Sequence, residues 1–245
     1  MHEDEVPDKL GQRADDQRGA DQRAGDRRAP YDPMPHGPAE VGVGPWKGKW
    51  PEGEEYDEHL LAAGDRRNVV DRYRYWKIDA IIADLDDRRH DFHIGIENWQ
   101  HDFNIGTIVR TANAFLAKEV HIVGRKRWNR RGAMVTDRYQ HVRHHETTAE
   151  LSAYLHEVGV TLLGIDNLPG SRPIETIALP QRCALLFGQE GPGLSDPARG
   201  ACDATFSIAQ FGSTRSINAS AAAAIAMHTW IRQHADFSAG NSWRG

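Results

Sequence analysis

Leu186-Phe-Gly-Gln-Glu-Gly-Pro-Gly-Leu-Ser195 places a turn of three glycines directly behind the apolar run Arg182-Cys-Ala-Leu-Leu-Phe187. A short apolar run bounded by turn residues reads as a buried strand. Glycines at 188, 191 and 193 open backbone angles closed to other residues and let backbone approach a ligand closely. The turn lacks the Lys-Ser/Thr of a phosphate loop, and its G-x-x-G-x-G spacing does not match the dinucleotide fingerprint. Such a turn can be purely structural. The carboxylate of Glu190 held in its middle is what marks it as a candidate binding loop.

Working outward, Asp91-Phe-His-Ile-Gly-Ile-Glu-Asn98 alternates and reads as a strand. It is followed by Asn104-Ile-Gly-Thr-Ile-Val-Arg110. Ile105, Ile108, Val109, Ala112, Phe115 and Leu116 fall on one helical face, and Asn104 sits where an N-cap belongs. Arg110 points almost opposite that face, one turn after Gly106, whose missing side chain leaves room beside it. It is either a solvated helix arginine or, being within two turns of a strand end, a functional one.

Strands are further expected at Glu119–Val123, near His141–His144, at Val160–Ile165 and at Ala204–Ile208. Helices are expected at Arg66–Asp86, Met134–Gln140, Glu150–Val158 and, rich in alanine, Ser216–His234. This alternation implies an α/β fold with a mostly parallel sheet and helices on both faces. Ligands in such sheets collect at the carboxyl ends of the strands.

A third stretch, Ser207-Ile-Ala-Gln-Phe-Gly-Ser-Thr-Arg-Ser-Ile-Asn-Ala-Ser220, couples the last strand to the last helix. Ser216 and Asn218 are small polar groups at a helix start, where they either cap or bind ligand. All three stretches begin at or just after a strand end, so one site can draw on all of them.

In order and spacing the three stretches resemble the motifs of the SpoU family of the SPOUT superfamily, S-adenosylmethionine-dependent RNA ribose methyltransferases. The resemblance covers roughly residues 88–235. It implies a deep trefoil knot in the C-terminal part, which no periodicity predicts and which is nearly absent from proteins at large. It also implies a homodimer that methylates a ribose 2′-hydroxyl of tRNA or rRNA, with S-adenosylmethionine held mainly by backbone groups.

Carried over position by position, the resemblance assigns catalysis to Arg110 with Asn104, Glu190, Ser216 and Asn218. It assigns the cofactor to Ile165, Gly188, Glu190, Gly191, Ile208, Gln210 and Ile217. Two departures from the family pattern stand out: Gln189 replaces the usual Asn, and Ile208-Ala-Gln210 replaces Ile-Pro-Met. Gln189 keeps the amide on a longer arm, and the missing proline frees one backbone N–H. The alternative from another class is a non-catalytic RNA-binding or ribosome-assembly factor that keeps the fold.

The chain of 245 residues carries a net charge of −5, so nucleic-acid binding has to be local. Arg125-Lys-Arg-Trp-Asn-Arg-Arg131 supplies it: Arg125, Lys126, Arg127, Arg130 and Arg131 surround Trp128, which is expected to stack on a base. A solvated basic loop is the alternative.

His141, His144 and His145 lack a carboxylate pair or an H-E-x-x-H pattern, and no metal is expected. Cys183 and Cys202 have no CxxC spacing, which fits a reducing compartment, and the cytoplasm is expected. No apolar run is long enough for a membrane span, and the acidic, polar start is unlike a signal peptide.

Residues 1–65, rich in Asp, Glu, Arg, Gly and Pro, are expected to be a disordered charged extension in which Trp46 and Trp50 dock on a partner. A helical extension over 66–87, the methyltransferase domain over 88–236 and a flexible tail over 237–245 complete the expected organisation.

Overall fold

The computed structural model describes residues 42–100 and 103–238. Helices α1 (Glu58–Ala63) and α2 (Ile78–Asp86) precede strand β1 (Phe92–Asn98) and helix α3 (Asn104–Ala114). Then come β2 (Val120–Gly124), β3 (Val142–His145), α4 (Thr148–Glu157), β4 (Thr161–Ile165), β5 (Arg172–Pro173) and β6 (Cys183–Phe187). The chain continues through α5 (Asp196–Ala201) and β7 (Ala204–Ser207) to α6 (Ala219–His234).

β6 is buried along its whole length because its two faces serve two layers. Cys183, Leu185 and Phe187 face a core shared with Ile105, Ile108 and Val109 of α3 and Met227 and Trp230 of α6. Ala184 and Leu186 face a second core with Leu151 and Leu155 of α4 and Ala198 of α5. The sheet order is β3-β2-β1-β6-β4-β7-β5, and every pairing is parallel. Leu185 is in register with Ile94 on one side and Leu163 on the other, so β6 is central. Helices on both faces of a parallel sheet are the expected α/β architecture.

β1 alternates as expected, yet its polar face is also buried. His93, His121 and His145 form a row across β1, β2 and β3. His93 Nδ1 lies 3.0 Å from His121 Nε2, and His121 Nδ1 lies 3.0 Å from His145 Nε2. His93, His121 and Glu119 are the one His/carboxylate grouping among the described residues compact enough to suggest an ion. The His93 and His121 ring centroids are 5.2 Å apart at an N···N distance of 3.0 Å, which places the rings nearly end to end. That is the geometry of an N–H···N bond, not of two lone pairs converging on a metal. Glu119 is engaged by Arg143 Nε at 2.9 Å and by the Tyr154 hydroxyl at 2.9 Å.

Burial pushes the His93 ring down to about 4 and lowers His121 and His145 as well. The unfolded chain protonates these rings near 6.5, whereas the folded chain resists protonation until well below that. Stability is therefore fully present above that pH and is lost as pH falls toward 4, by at most about 1.4 kcal/mol per ring per pH unit. Urea midpoints measured from pH 7.5 to pH 4.5 should decline steeply below about 6.5. His93→Gln should flatten the decline, and a wild-type midpoint constant over that range would refute the assignment.

Several expectations are corrected. Residues 42–65 are not featureless: Asp57 caps α1 by accepting from His59 N and Leu60 N, and buried Asp65 pairs with Arg67 at 2.7 Å. Trp46 packs edge-on against Tyr75 of the same chain, with ring centroids 5.3 Å apart, and both Trp46 and Trp50 remain exposed. Composition understates this segment because a helix cap, the buried Asp65 with its hydrogen bonds and the single buried Leu61 hold it, and not a large apolar core. The part of the expected disorder at residues 1–41, and the tail from 239 onward, lie outside the described residues.

The single helix expected over Arg66–Asp86 is a 3-10 turn at Asp71–Tyr73 and then α2, interrupted by Tyr75 at φ +65°. The helix expected at Met134–Gln140 is replaced by 3-10 turns at Arg131–Ala133 and Thr136–Arg138, because Met134 and Val135 take left-handed angles. α6 begins at Ala219, with Asn218 as its cap, so Ser216 precedes the helix. β5 and α5 have no counterpart among the expected elements.

Candidate active site

The carboxyl ends of β4, β6 and β7 open into one cleft with a cavity volume of about 360 Å³. Small-molecule sites start at about this size. Its apolar wall is Ile165, Phe187, Ile208 and Ile217, each at or just past the end of a strand or ahead of α6. Gly188, Glu190 and Gly191 of the glycine turn, and Gln210, Ser216 and Asn218 of the loop into α6, complete it. The cleft thus gathers every position expected to hold the cofactor, together with Ser216 and Asn218.

The turn is a fixed object. Gln189 and Gly193 exchange backbone hydrogen bonds, Gln189 N to Gly193 O at 3.2 Å and Gly193 N to Gln189 O at 3.0 Å. A side chain on Gly188 would place Cβ 2.0 Å from the carbonyl carbon of Gly193. Beyond the turn, Leu194 N donates to Asp166 Oδ2 at 2.9 Å. Ser195 donates twice to buried Glu97, from N to Oε2 at 2.8 Å and from Oγ to Oε1 at 2.6 Å. Sequence reasoning missed both carboxylates. The available signal was an acid at or near the end of an apolar strand, where it has no reason to be unless backbone N–H groups face it.

Three residues from the three stretches meet through their side chains. Asn104 Nδ2 donates to Glu190 Oε2 at 2.6 Å. Asn218 Nδ2 donates to Asn104 Oδ1 at 2.9 Å and to Glu190 Oε1 at 3.3 Å. Asn218 Oδ1 meanwhile caps α6 by accepting from Ser220 N and Ala221 N. Capping and site formation are therefore the work of one side chain. Asn104 does not cap α3 as expected: Phe103 holds that place, and the Asn104 amide turns to the cluster.

Arg110 is exposed and is not part of the cleft wall. Six residues along α3 from Asn104, it stands on the order of 9 Å farther along the axis. The space beside Gly106 is not free either: a Cβ there would meet Ala133 N at 2.7 Å and Gly132 N at 2.8 Å, so the basic loop packs directly on α3.

Asn98 anchors that loop by donating from Nδ2 to Arg125 O at 2.7 Å and Arg127 O at 3.0 Å. Arg125, Lys126, Arg127, Arg130 and Arg131 are exposed. Trp128 is not: it is 8% exposed within the α3 core, with the Arg130 guanidinium 5.4 Å from its ring centroid. The expectation that Trp128 stacks on a base is corrected, because its ring is buried in the core that α3 shares.

The residues fit a polar cofactor. Gln189 Oε1 and Gln210 Oε1 are buried acceptors in the cleft wall without a partner among the described residues, a costly state that a ligand donor would relieve. The N–H freed by Ala209 is not left unpaired, since Glu175 accepts it at 3.2 and 3.3 Å.

A family model described as SpoU rRNA Methylase matches residues 91–228. The tRNA (guanosine(18)-2′-O)-methyltransferase of Escherichia coli K12 is 27% identical over 163 residues, 65% of this chain and 70% of that protein. The SpoU methyltransferase AviRb from Streptomyces viridochromogenes, solved with AdoMet, superposes with a TM-score of 0.53 at 25% identity. That match covers 61% of this chain and 60% of AviRb. The TrmH/SpoU tRNA modifying enzyme of A. aeolicus shares the fold, with a TM-score of 0.57 at 19% identity over 64% of this chain and 81% of that one. The chain belongs to the SpoU rRNA methylase family.

Proposed function

We propose that this protein transfers a methyl group from S-adenosylmethionine to a ribose 2′-hydroxyl of tRNA or rRNA. The observation that carries the reading is the convergence of Asn104, Glu190 and Asn218, from three separate stretches, beside a cleft with two unpartnered amide acceptors. When bound there, S-adenosylmethionine supplies an electrophilic methyl group. The protein's part is to hold, orient and exclude water, since in-line placement of the hydroxyl supplies much of such a rate.

Ile165, Ile208 and Ile217 shield the cofactor, while backbone of Gly188 and Gly191 and the amide of Gln210 bind its polar edges. Glu190 and Asn218 fix the two loops relative to each other, and Ser216 extends the polar rim. Arg110 stabilises the negative charge that develops on the 2′-oxygen as its proton passes to solvent and the new O–CH3 bond replaces the S–CH3 bond, and grips the neighbouring phosphate with its fork. A guanidinium is too weak a base to take that proton in its ordinary charged form. Because Arg110 is exposed and absent from its own cleft, we place it at the cleft of a second copy in a homodimer. The knotted threading of the family goes with this reading, as does a cytoplasmic setting. Among the described residues no helix is long and apolar enough to cross a membrane. Burial pushes both free thiols, Cys183 and Cys202, up to about 12, which leaves them unreactive.

Calorimetry with S-adenosylmethionine and mapping of 2′-O-methyl marks in RNA from cells lacking the protein test the proposal. Absence of cofactor binding would favour the non-catalytic RNA-binding or assembly factor instead. The exposed cations at 125–131 are placed on the RNA backbone. Replacing all five with Gln should lower the slope of log K against log salt by about 0.7 for each phosphate that is no longer neutralised. An unchanged slope would remove the loop from the RNA surface.

A further inference from the structure

Phe211 is 98% exposed, the most exposed large apolar side chain among the described residues. It directly follows cleft-lining Gln210, and every residue from 211 to 216 is exposed. A Cβ on Gly212 would meet nothing within 4 Å, so the loop stands clear of the body. A bare ring on a projecting loop has no packing role among the described residues. Arg215, four residues on, is also exposed and borders the cleft, and its carbonyl accepts from Asn167 Nδ2 at 3.2 Å, which pins that end of the loop.

From this placement, and resting on the proposed function, we infer that the Phe211–Arg215 loop holds an unpaired nucleotide of the RNA next to the reacting ribose. The Phe211 ring stacks on its base, and the Arg215 guanidinium pairs with its phosphate. Single-stranded RNA is recognised by aromatic faces beside cations, and a phenyl ring stacks on any base. A contact between two copies of the chain would set the ring among other apolar side chains, since interface cores are depleted in charge. Phe211 is instead followed by Gly212, Ser213, Thr214 and Arg215. Trp128, the aromatic that composition favoured for this task, is buried, and the basic loop at 125–131 is left to bind phosphates alone.

The two interactions have separable signatures. Using a fluorescein-labelled 15-nucleotide oligoadenylate and anisotropy over a salt series, Phe211→Leu should weaken binding about 10-fold at every salt concentration, with the log–log slope unchanged. Phe211→Tyr, which keeps the π face, should stay within about 2-fold of wild type. Arg215→Gln should lower the slope by about 0.7. Calorimetry with S-adenosylmethionine on the Phe211 variants checks that the cleft is intact. Phe211→Leu binding like wild type, or a loss of affinity that vanishes at high salt, would overturn the inference. So would a Phe211→Leu protein whose mass by light scattering falls from dimer to monomer, which would assign the ring to a subunit interface. Methyl transfer by the wild type to unmodified bulk tRNA and rRNA is a separate arm. Its failure strikes the proposed function, whereas unaltered oligonucleotide binding by Phe211→Leu strikes only this inference.

Discussion

Gly188→Ala should abolish S-adenosylmethionine binding, raising Kd by more than about 100-fold, close to 3 kcal/mol. The new methyl would lie 2.0 Å from Gly193 C, 2.1 Å from Gly193 O and 2.2 Å from Leu194 N. None of these atoms can retreat cheaply. Gly193 is tied to Gln189 by two backbone hydrogen bonds, Leu194 N to Asp166, and Ser195 to Glu97. Gly191→Ala makes the informative contrast: its φ of +96° strains any side chain, but no atom lies within 4 Å of the added Cβ. That strain is worth about 1–2 kcal/mol, roughly a 10-fold loss. Calorimetry on both variants, with circular dichroism to show that the sheet is retained, reads the ranking. Equal affinities for the two would mean that the turn does not hold the cofactor.

Arg110→Lys should cost methyl transfer at least about 100-fold, the scale on which removing one donor from a developing oxyanion acts. It keeps the charge but not the fork. Cofactor affinity should be unchanged, because Arg110 is assigned to the ribose oxygen and its phosphate while the residues of the cleft wall are assigned to the cofactor. Single-turnover transfer and calorimetry separate the two quantities, and near-wild-type transfer would eliminate the role. The placement in a second copy has its own signature. Arg110→Ala and Gly188→Ala subunits, each inactive, should recover about a quarter of wild-type activity when mixed and re-equilibrated, since half the dimers carry one complete site. No recovery in dimers shown to exchange subunits would put the arginine back at its own cleft.

The alternation of apolar runs and helical segments made β1, α3, β2, α4, β4, β6, β7 and α6 legible, because the helices bury one face against the sheet and the strands are short runs buried between two helical layers. The misreadings share a different cause. Met134 and Val135 have apolar helix-like spacing, but their left-handed angles answer to the close approach of Gly106 and Gly132, which is tertiary. Trp128 reads as an RNA ligand when its neighbours are counted along the chain, and as core when α3 is laid across it.

At the site, Glu190 and Asn218 were visible through glycine spacing and capping chemistry. Glu97 and Asp166 went unread although each is an acid at or just past the end of an apolar strand, because the N–H and hydroxyl donors that meet them lie far along the chain. α5 was readable but unread: Ser195-Asp-Pro combines an N-cap, a first-turn acid and an early proline.

The side chains that meet beside the cleft are 86, 114 and 28 residues apart along the chain. Closing loops of that span is entropically late work, whereas the β1–α3–β2 unit closes locally. On dilution from denaturant the chain should regain its far-ultraviolet signal well before it regains affinity for a nucleoside. A freshly synthesised copy would likewise pass through an interval in which it is folded by spectroscopy and still chemically silent.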